Sequence, residues 1–184
     1  MIPGLSYIKD FISQRKHDAL LAEIDSSPWL TDLKRRVQHY GYKYDYKFKN
    51  IDYSMHIGPL PQWAEQFADI FHKSSLTPAK PDQVIVNEYE PGQGIYSHID
   101  CVPCFTDTII SISLGSSCVM EFTSRKTHEV LPILVEPRSL IVMRGEARFN
   151  WFHGIRPRKT DKYEDKIIER GRRVSLTFRK VILG

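Results

Sequence analysis

Arg173-Val174-Ser175-Leu176-Thr177-Phe178-Arg179 alternates polar and apolar residues without a break. A β-strand sends successive side chains to opposite faces, so this segment predicts a strand with Arg173, Ser175, Thr177 and Arg179 on one side. Val174, Leu176 and Phe178 then form the other side, facing a core. Working back along the chain, short β-branched runs recur at Val84–Glu90, Thr108–Leu114, Cys118–Phe122, Glu129–Val135, Ser139–Met143 and Phe149–Phe152. The last strand is expected over Arg173–Ile182. Gly115-Ser116 between two runs signals a hairpin, and Glu136-Pro137-Arg138 a turn. Many short strands joined by turns predict a sandwich or barrel. Two helices are expected ahead of it. Residues 10 to 25 place Phe11, Ile12, Leu20, Leu21 and Ile24 on one face. Residues 61 to 72 carry Trp63, Phe67, Ile70 and Phe71 at helical spacing, with Pro61 at the first helical position.

The length of 184 residues fits one domain with a core of its own. Hydrophobic content of 41% and charged content of 26% are those of an ordinary globular chain. A run of about 18 apolar residues, which a membrane span requires, is not found. Met1-Ile2-Pro3-Gly4 lacks a basic stretch followed by an apolar one, and three cysteines are too few for a disulfide framework. A cytoplasmic protein is therefore expected. The net charge of +4 is compatible with a polyanionic partner but does not argue for one alone.

The polar strand face has a partner set. His98-Ile99-Asp100 follows the turn-rich Pro91-Gly92-Gln93-Gly94. In extended chain, positions i and i+2 point the same way, so His98 and Asp100 can meet on one ion, with His153 as a third ligand. Two histidines and a carboxylate form the facial triad of non-haem Fe(II) oxygenases, although zinc accepts the same donors. A His-x-Asp pair is common by chance and carries little alone. Arg173 and Arg179 add what a small dicarboxylate needs, because guanidinium and carboxylate pair through charge-assisted hydrogen bonds. The alternative for them is an exposed strand with solvated arginines. Ile85, Asn87 and Tyr89 share one face of a second strand, as do Ser111 and Ser113 on a third. Polar groups converging from three strands predict a cofactor pocket inside a barrel.

These residues resemble the AlkB family of Fe(II)- and 2-oxoglutarate-dependent dioxygenases. The matching segments are Asn87-Glu88-Tyr89-Glu90-Pro91-Gly92, His98-Ile99-Asp100, Ile109 through Gly115, Gly145-Glu146-Ala147-Arg148 leading to His153-Gly154-Ile155, and Arg173 through Arg179. They keep the family's order and cover about residues 82 to 182. The resemblance implies a mainly β chain with flanking helices (α+β), a double-stranded β-helix or jelly-roll core with the N-terminal helices packed outside. It implies one domain over residues 1–184, with helices and a nucleotide-recognition lid in 1–80 and the jelly-roll in 81–184. It implies Fe(II) held by His98, Asp100 and His153, with 2-oxoglutarate and O2 as co-substrates. Arg173, helped by Tyr89, would pair with the distal carboxylate of 2-oxoglutarate. Asn87 and Arg179 would lie near its metal-chelating end, and Ser111 and Ser175 would complete the cofactor site. Ser175 stands where family members carry Asn, which implies a weaker contact. Val102 stands where the family's bacterial repair enzyme has an acidic residue, which puts simple repair specificity in doubt. The chemistry implied is oxidation of a substrate C–H coupled to conversion of 2-oxoglutarate to succinate. An N-methyl product collapses to formaldehyde and free base, whereas a carbon-linked group keeps its hydroxyl.

Substrate recognition is expected in Arg35 through Lys49. Tyr40, Tyr42, Tyr44 and Tyr46 recur with period two among basic residues, as one aromatic strand face would. Aromatics that stack on bases beside cations that meet phosphates suit unpaired nucleic acid. The alternative is a half-buried hairpin whose tyrosines cover the core. Arg35, Arg36, Tyr40, Tyr42 and Tyr44 are the candidate substrate residues, with Arg158 as a second phosphate contact that can equally belong to a solvated loop. Arg35-Arg36-Val37, His39-Tyr40-Gly41-Tyr42, Pro81-Asp82-Gln83 and Thr177-Phe178-Arg179-Lys180-Val181 look closest to the family's tRNA-modifying branch, whose animal member hydroxylates a wobble-uridine side chain and is fused to a methyltransferase. The expected partner is RNA or DNA, single-stranded or with a flipped base, tRNA favoured, with a separate methyltransferase chain. The competing functions are oxidative demethylation of N-alkylated bases, hydroxylation of a protein or small molecule, and a silent nucleic-acid-binding module. Cys101-Val102-Pro103-Cys104 is expected to hold two small loop residues, and Glu146 and Arg148 to brace the strand carrying His153.

Overall fold

In the computed structural model, residues 1–183 are described. The strands are β1 (Leu5–Ile8), β2 (Val37–Tyr40), β3 (Gln83–Tyr89), β4 (Ile95–His98), β5 (Thr108–Gly115), β6 (Cys118–Ser124), β7 (Val130–Val135), β8 (Leu140–Arg144), β9 (Trp151–Ile155), β10 (Thr160–Tyr163), β11 (Lys166–Glu169) and β12 (Arg173–Arg179). The helices are α1 (Gln14–Asp25), α2 (Gln62–Lys73) and the single turn α3 (Glu146–Phe149). A six-stranded sheet runs β1-β8-β5-β12-β3-β2, and a four-stranded sheet runs β4-β9-β6-β7. Their pairings are antiparallel throughout, and β10 and β11 form a separate hairpin. This is a jelly-roll core.

The alternation in β12 builds two cores at once. Val174, Leu176 and Phe178 join Val84, Val86, Ile110 and Ile112 against Trp63, Phe67 and Phe71 of α2 and Leu20 and Ile24 of α1. Phe178 lies 5.1 Å from the Phe71 ring and 6.3 Å from Trp63. It is fully buried, so Phe178→Ala is expected to cost about 3–5 kcal/mol, read as a lower urea midpoint at unchanged slope. The opposite face of the six-stranded sheet meets the four-stranded sheet through Ile109, Ile141 and Met143 against Met120, Phe122 and Ile155. Polar residues of β12 thus lie between the sheets, and the solvated strand face is excluded.

Helix α1 starts later than the periodicity predicts. Ser13 caps it by accepting from the Lys16 N–H, so Phe11 and Ile12 precede the helix yet still pack on its core. Pro61 caps α2 rather than opening it. The tyrosine run is not one strand. β2 ends at Tyr40 because Gly41 turns with φ of 77°, where an added Cβ would lie 1.9 Å from the Asp82 carbonyl oxygen. The hairpin of β10 and β11 begins in the segment read as either a phosphate contact or a solvated loop. Buried Asp161 holds it to β6, accepting from Arg170 and from the Val119 N–H at 2.9 Å. No helix among the described residues is long and apolar enough to cross a membrane.

Candidate metal and co-substrate site

His98 and His153 are cross-strand partners on β4 and β9, with ring centroids 4.5 Å apart. Gly154 lets the strands approach this closely, since an added Cβ would stand 2.8 Å from the Ser97 backbone. Asp100, two residues beyond the end of β4, brings its carboxylate to 3.6 Å from His153 Nε2. One donor atom from each residue lies within 4.8 Å of the others, as metal ligands must.

The donor set fits an ion on three observations. Asp100 Oδ2 is buried without a hydrogen-bond partner, while Oδ1 accepts from Arg179 Nη2 at 2.6 Å and Nε at 3.0 Å. His98 Nδ1 lies 2.8 Å from the Tyr96 carbonyl oxygen, which assigns the proton to Nδ1 and leaves Nε2 as a lone pair. Burial, with His98 adding to it, pushes the His153 imidazole down to about 3, so it is a neutral donor at ordinary pH. Burial alone would raise the Asp100 carboxyl; Arg179, His153 and His98 outweigh it and hold the acid well below the usual carboxylate range.

The depressed His153 value makes a pH prediction. Its folded value near 3 lies below the ordinary 6.5, so its contribution to stability is complete above about pH 6.5. It is lost as pH falls from there toward 3, by up to about 1.4 kcal/mol per pH unit. The metal-free protein should show a falling urea midpoint from pH 7 to pH 5, and His153→Gln should flatten that fall.

The co-substrate candidates converge as well. Asn87, Tyr89, Ser111, Arg173, Ser175 and Arg179 line one cavity with His98 and His153, holding about 50 Å³ of open space. Ser175 sits opposite Asn87 on β3 and Ser113 on β5, so register alone gathers these groups. Arg173 is 3% exposed and donates through Nη2 to Ser113 Oγ at 2.9 Å, but its Nε and Nη1 have no partner. Its guanidinium lies over the Tyr89 ring at 5.6 Å. A buried cation with two vacant donors and no ion pair among the described residues fits a carboxylate. Arg179, expected beside the co-substrate, lines this cavity while engaged with Asp100.

Arg148 does something other than brace β9. It donates to the carbonyl oxygens of Asp100 at 2.9 Å, Cys101 at 3.2 Å and Thr106 at 3.4 Å, so it clamps the loop that carries the carboxylate ligand. Glu146 instead accepts from Asn150 Nδ2 at 2.8 Å. Arg148→Met is expected to weaken metal affinity about 10–100-fold, as loss of ligand support generally does. Titration with Mn(II) measures this directly. Cys101 and Cys104, expected as two small loop residues, form a disulfide.

The substrate candidates divide by strand face. Arg35 lies on the site's side, donating from Nε to Asn87 Oδ1 at 2.9 Å. Arg36, one residue on, points to the opposite side and pairs with buried Glu88. Tyr40 also leaves the site: its ring packs edge-on against Trp63 at 5.6 Å and its hydroxyl donates to Gln38. Both expectations for Arg36 and Tyr40 are corrected by the two-residue period of β2, which continues that of β3. Tyr42 packs against His56, and Tyr44 against Tyr46 and Phe105. Arg158 is paired with Asp161 at 2.7 Å rather than free for phosphate. A cleft of about 530 Å³ adjoins the inner cavity through Ile95 and Ile155 and is lined by Lys34, Arg35, Gln93, Tyr96 and Arg156 among others. Gln93 belongs to the turn-rich Pro91-Gly92-Gln93-Gly94, but only the fold brings it beside Lys34, Arg35 and Arg156.

This geometry defines a jelly-roll oxygenase of the non-haem Fe(II) class. The family model described as the 2OG-Fe(II) oxygenase superfamily matches residues 4–179. The chain belongs to that superfamily and, within it, to the AlkB family of Fe(II)- and 2-oxoglutarate-dependent dioxygenases. It is 38% identical over 180 residues to "Uncharacterized protein L905" of Acanthamoeba polyphaga mimivirus, covering 97% of this chain and 85% of the viral one. It is 38% identical over 206 residues to the "tRNA (carboxymethyluridine(34)-5-O)-methyltransferase ALKBH8" of Macaca fascicularis, covering 97% of this chain but 30% of that protein. Among solved structures, that of OsALKBH1 superposes with a TM-score of 0.75 at 16% identity, covering 98% of both chains, which is a likeness of fold.

Proposed function

We propose that this chain hydroxylates the side chain of a modified uridine at the wobble position of tRNA. The observation that carries this reading is the 38% identity to macaque ALKBH8, a protein named for a carboxymethyluridine at position 34, over 97% of this chain and 30% of that protein. The candidate lid adds to it. Lys47 sits over the Phe48 ring, Arg35 lies 5.9 Å from Tyr46, and Phe48 and Tyr53 are exposed. Cations interleaved with aromatics suit an unpaired, splayed-out base such as an anticodon loop presents.

In this reading His98, Asp100 and His153 hold Fe(II), which with 2-oxoglutarate and O2 supplies the oxidation of a substrate C–H. Arg173 takes the distal carboxylate of 2-oxoglutarate on its two vacant donors, with Ser113 holding the third arm of the guanidinium. Arg35 engages the oxygen of the Asn87 amide and thereby turns its NH2 toward the cavity as a donor. The apolar wall of Met120, Ile141, Met143 and Ile155 excludes water from the reacting centre. Tyr44, Tyr46 and Arg35 then position the base, and the cleft bearing Lys34 and Tyr96 takes the neighbouring nucleotides. Because the oxidised group is carbon-linked, the hydroxyl stays on the base. Methyl transfer would fall to residues outside this chain.

The test is succinate release from 2-oxoglutarate with Fe(II) in air, run with methylated DNA and RNA oligonucleotides and with tRNA carrying uridine side-chain modifications. Stimulation by the tRNA, with a nucleoside one oxygen heavier by mass spectrometry, is the expected result. Stimulation by N-methylated oligonucleotides with formaldehyde release would replace this reading with oxidative demethylation. Turnover that no nucleic acid stimulates would turn the search to protein or small-molecule substrates.

A further inference from the structure

The Cys101–Cys104 disulfide occupies an unusual place. It closes a loop of sequence separation 3 that begins at the residue after the metal-site aspartate. Cys101 is half-buried and Cys104 is 4% exposed, with Val102 exposed between them. On one side the loop is gripped by Arg148, which donates to the Asp100 and Cys101 carbonyl oxygens. On the other, the two sulfurs lie 3.3 and 3.4 Å from a single acceptor, the Lys49 carbonyl oxygen of the candidate lid. Phe105, next in the chain, packs against Tyr44 at 5.8 Å. A covalent ring therefore joins the metal loop exactly where the lid rests on it.

We propose that Cys101–Cys104 is a reversible dithiol–disulfide modification site that sets how firmly Asp100 is held for the metal. Its reaction partner is a dithiol, either a small molecule or a redox protein. The exchange proceeds by attack of one external thiolate on Cys101 Sγ, the more accessible sulfur. The S–S bond breaks, and its electron pair leaves on Cys104 Sγ, which takes up a proton. The second external thiol then attacks its own partner sulfur in the mixed disulfide, releasing Cys101 as a thiol. Two electrons pass from the external dithiol, which becomes a disulfide, to the cysteine pair. Its two protons are balanced by those on the two cysteines.

The structural consequence follows from what each state can bond. In the disulfide neither sulfur carries hydrogen, so Lys49 O has only contacts there, while the cross-link keeps the chain after Asp100 in one closed turn. In the dithiol, each S–H can donate weakly to Lys49 O, but the turn is then closed only by the Cys104 N–H donating to the Cys101 carbonyl oxygen at 3.3 Å, without the covalent link. Arg148 remains, so the fold survives and the carboxylate loses part of its support. The structure assigns the tighter metal site to the oxidised form.

The experiment uses the full chain equilibrated in glutathione redox buffers, then alkylated in denaturant and weighed intact. Mn(II), a hard ion with little affinity for thiols, is the metal probe. The oxidised protein should take up one alkyl group, at Cys118, and the reduced protein all three. Reduction should weaken the Mn(II) Kd about tenfold, the low end of what ligand support contributes, and reoxidation should restore it. A Cys101→Ser/Cys104→Ser double variant should bind Mn(II) like the reduced protein in every buffer. Three alkyl groups taken up even after treatment with glutathione disulfide would overturn the proposal, because no disulfide would then form. Equal Mn(II) affinity in the two redox states would overturn it too, as would a redox response retained by the double variant.

Discussion

Replacing Arg173 with Met is expected to stabilise the cofactor-free protein while removing its grip on 2-oxoglutarate. Arg173 is buried between the sheets with two donors unpaired and no ion pair among the described residues. Such a charge has lost its hydration without compensation, so the apoprotein carries its cost. Apolar replacement of buried ionic groups by residues of similar volume often gains about 1–4 kcal/mol. For a chain of this size that raises the melting temperature by roughly 2–4 °C per kcal/mol. The same change removes a charge-assisted contact to the ligand carboxylate, which costs about 2–5 kcal/mol, at least about 30-fold in Kd. Thermal shift with Mn(II) and a 2-oxoglutarate series reads both. Wild type should gain about 2.7 kcal/mol when 2-oxoglutarate reaches about 100 times its Kd, and the variant should gain far less. A variant that melts lower than wild type yet still responds to 2-oxoglutarate would show that Arg173 serves the fold and not the ligand.

The second large effect is at His98. Its one side-chain hydrogen bond among the described residues is to the Tyr96 carbonyl, and it is only partly buried, so His98→Ala should change stability by no more than about 1 kcal/mol. Turnover should fall by more than about 100-fold, beyond what loss of a supporting contact alone produces. Succinate release and circular dichroism on the same sample separate lost chemistry from lost fold. Undiminished succinate formation by a folded variant would sink the assignment of His98 as a ligand.

Much of the site was legible because it is written in a period of two. On β12 the alternation of Arg173, Ser175, Thr177 and Arg179 with Val174, Leu176 and Phe178 states which side chains share a face, and antiparallel pairing carries the rule to Asn87, Tyr89 and Ser111. The same rule would have separated Arg35 from Arg36, and Tyr40 from the site, had β2 been known to pair with β3. Its four residues are too few to show a period, and the tyrosine repeat ran past the turn at Gly41. The hairpin at residues 160–169 was hidden for another reason. Its charged text looks solvated, and only the burial of Asp161 against Arg170 makes it part of the fold.

What this sequence determined alone is the set of faces: which residues can point together along each strand, and that His98 and Asp100 can point together as a donor pair. That information is local, because backbone geometry sets side-chain direction within a strand. The tertiary structure decided everything that depends on which strands meet. It left Arg173 with two empty donors and Asp100 with one unpaired oxygen. It set Arg148 on the metal loop and closed Cys101 onto Cys104 under the lid. Apart from the Cys101–Cys104 link, whose sequence separation is 3, those outcomes rest on contacts between residues tens of positions apart, and no spacing along one segment encodes them.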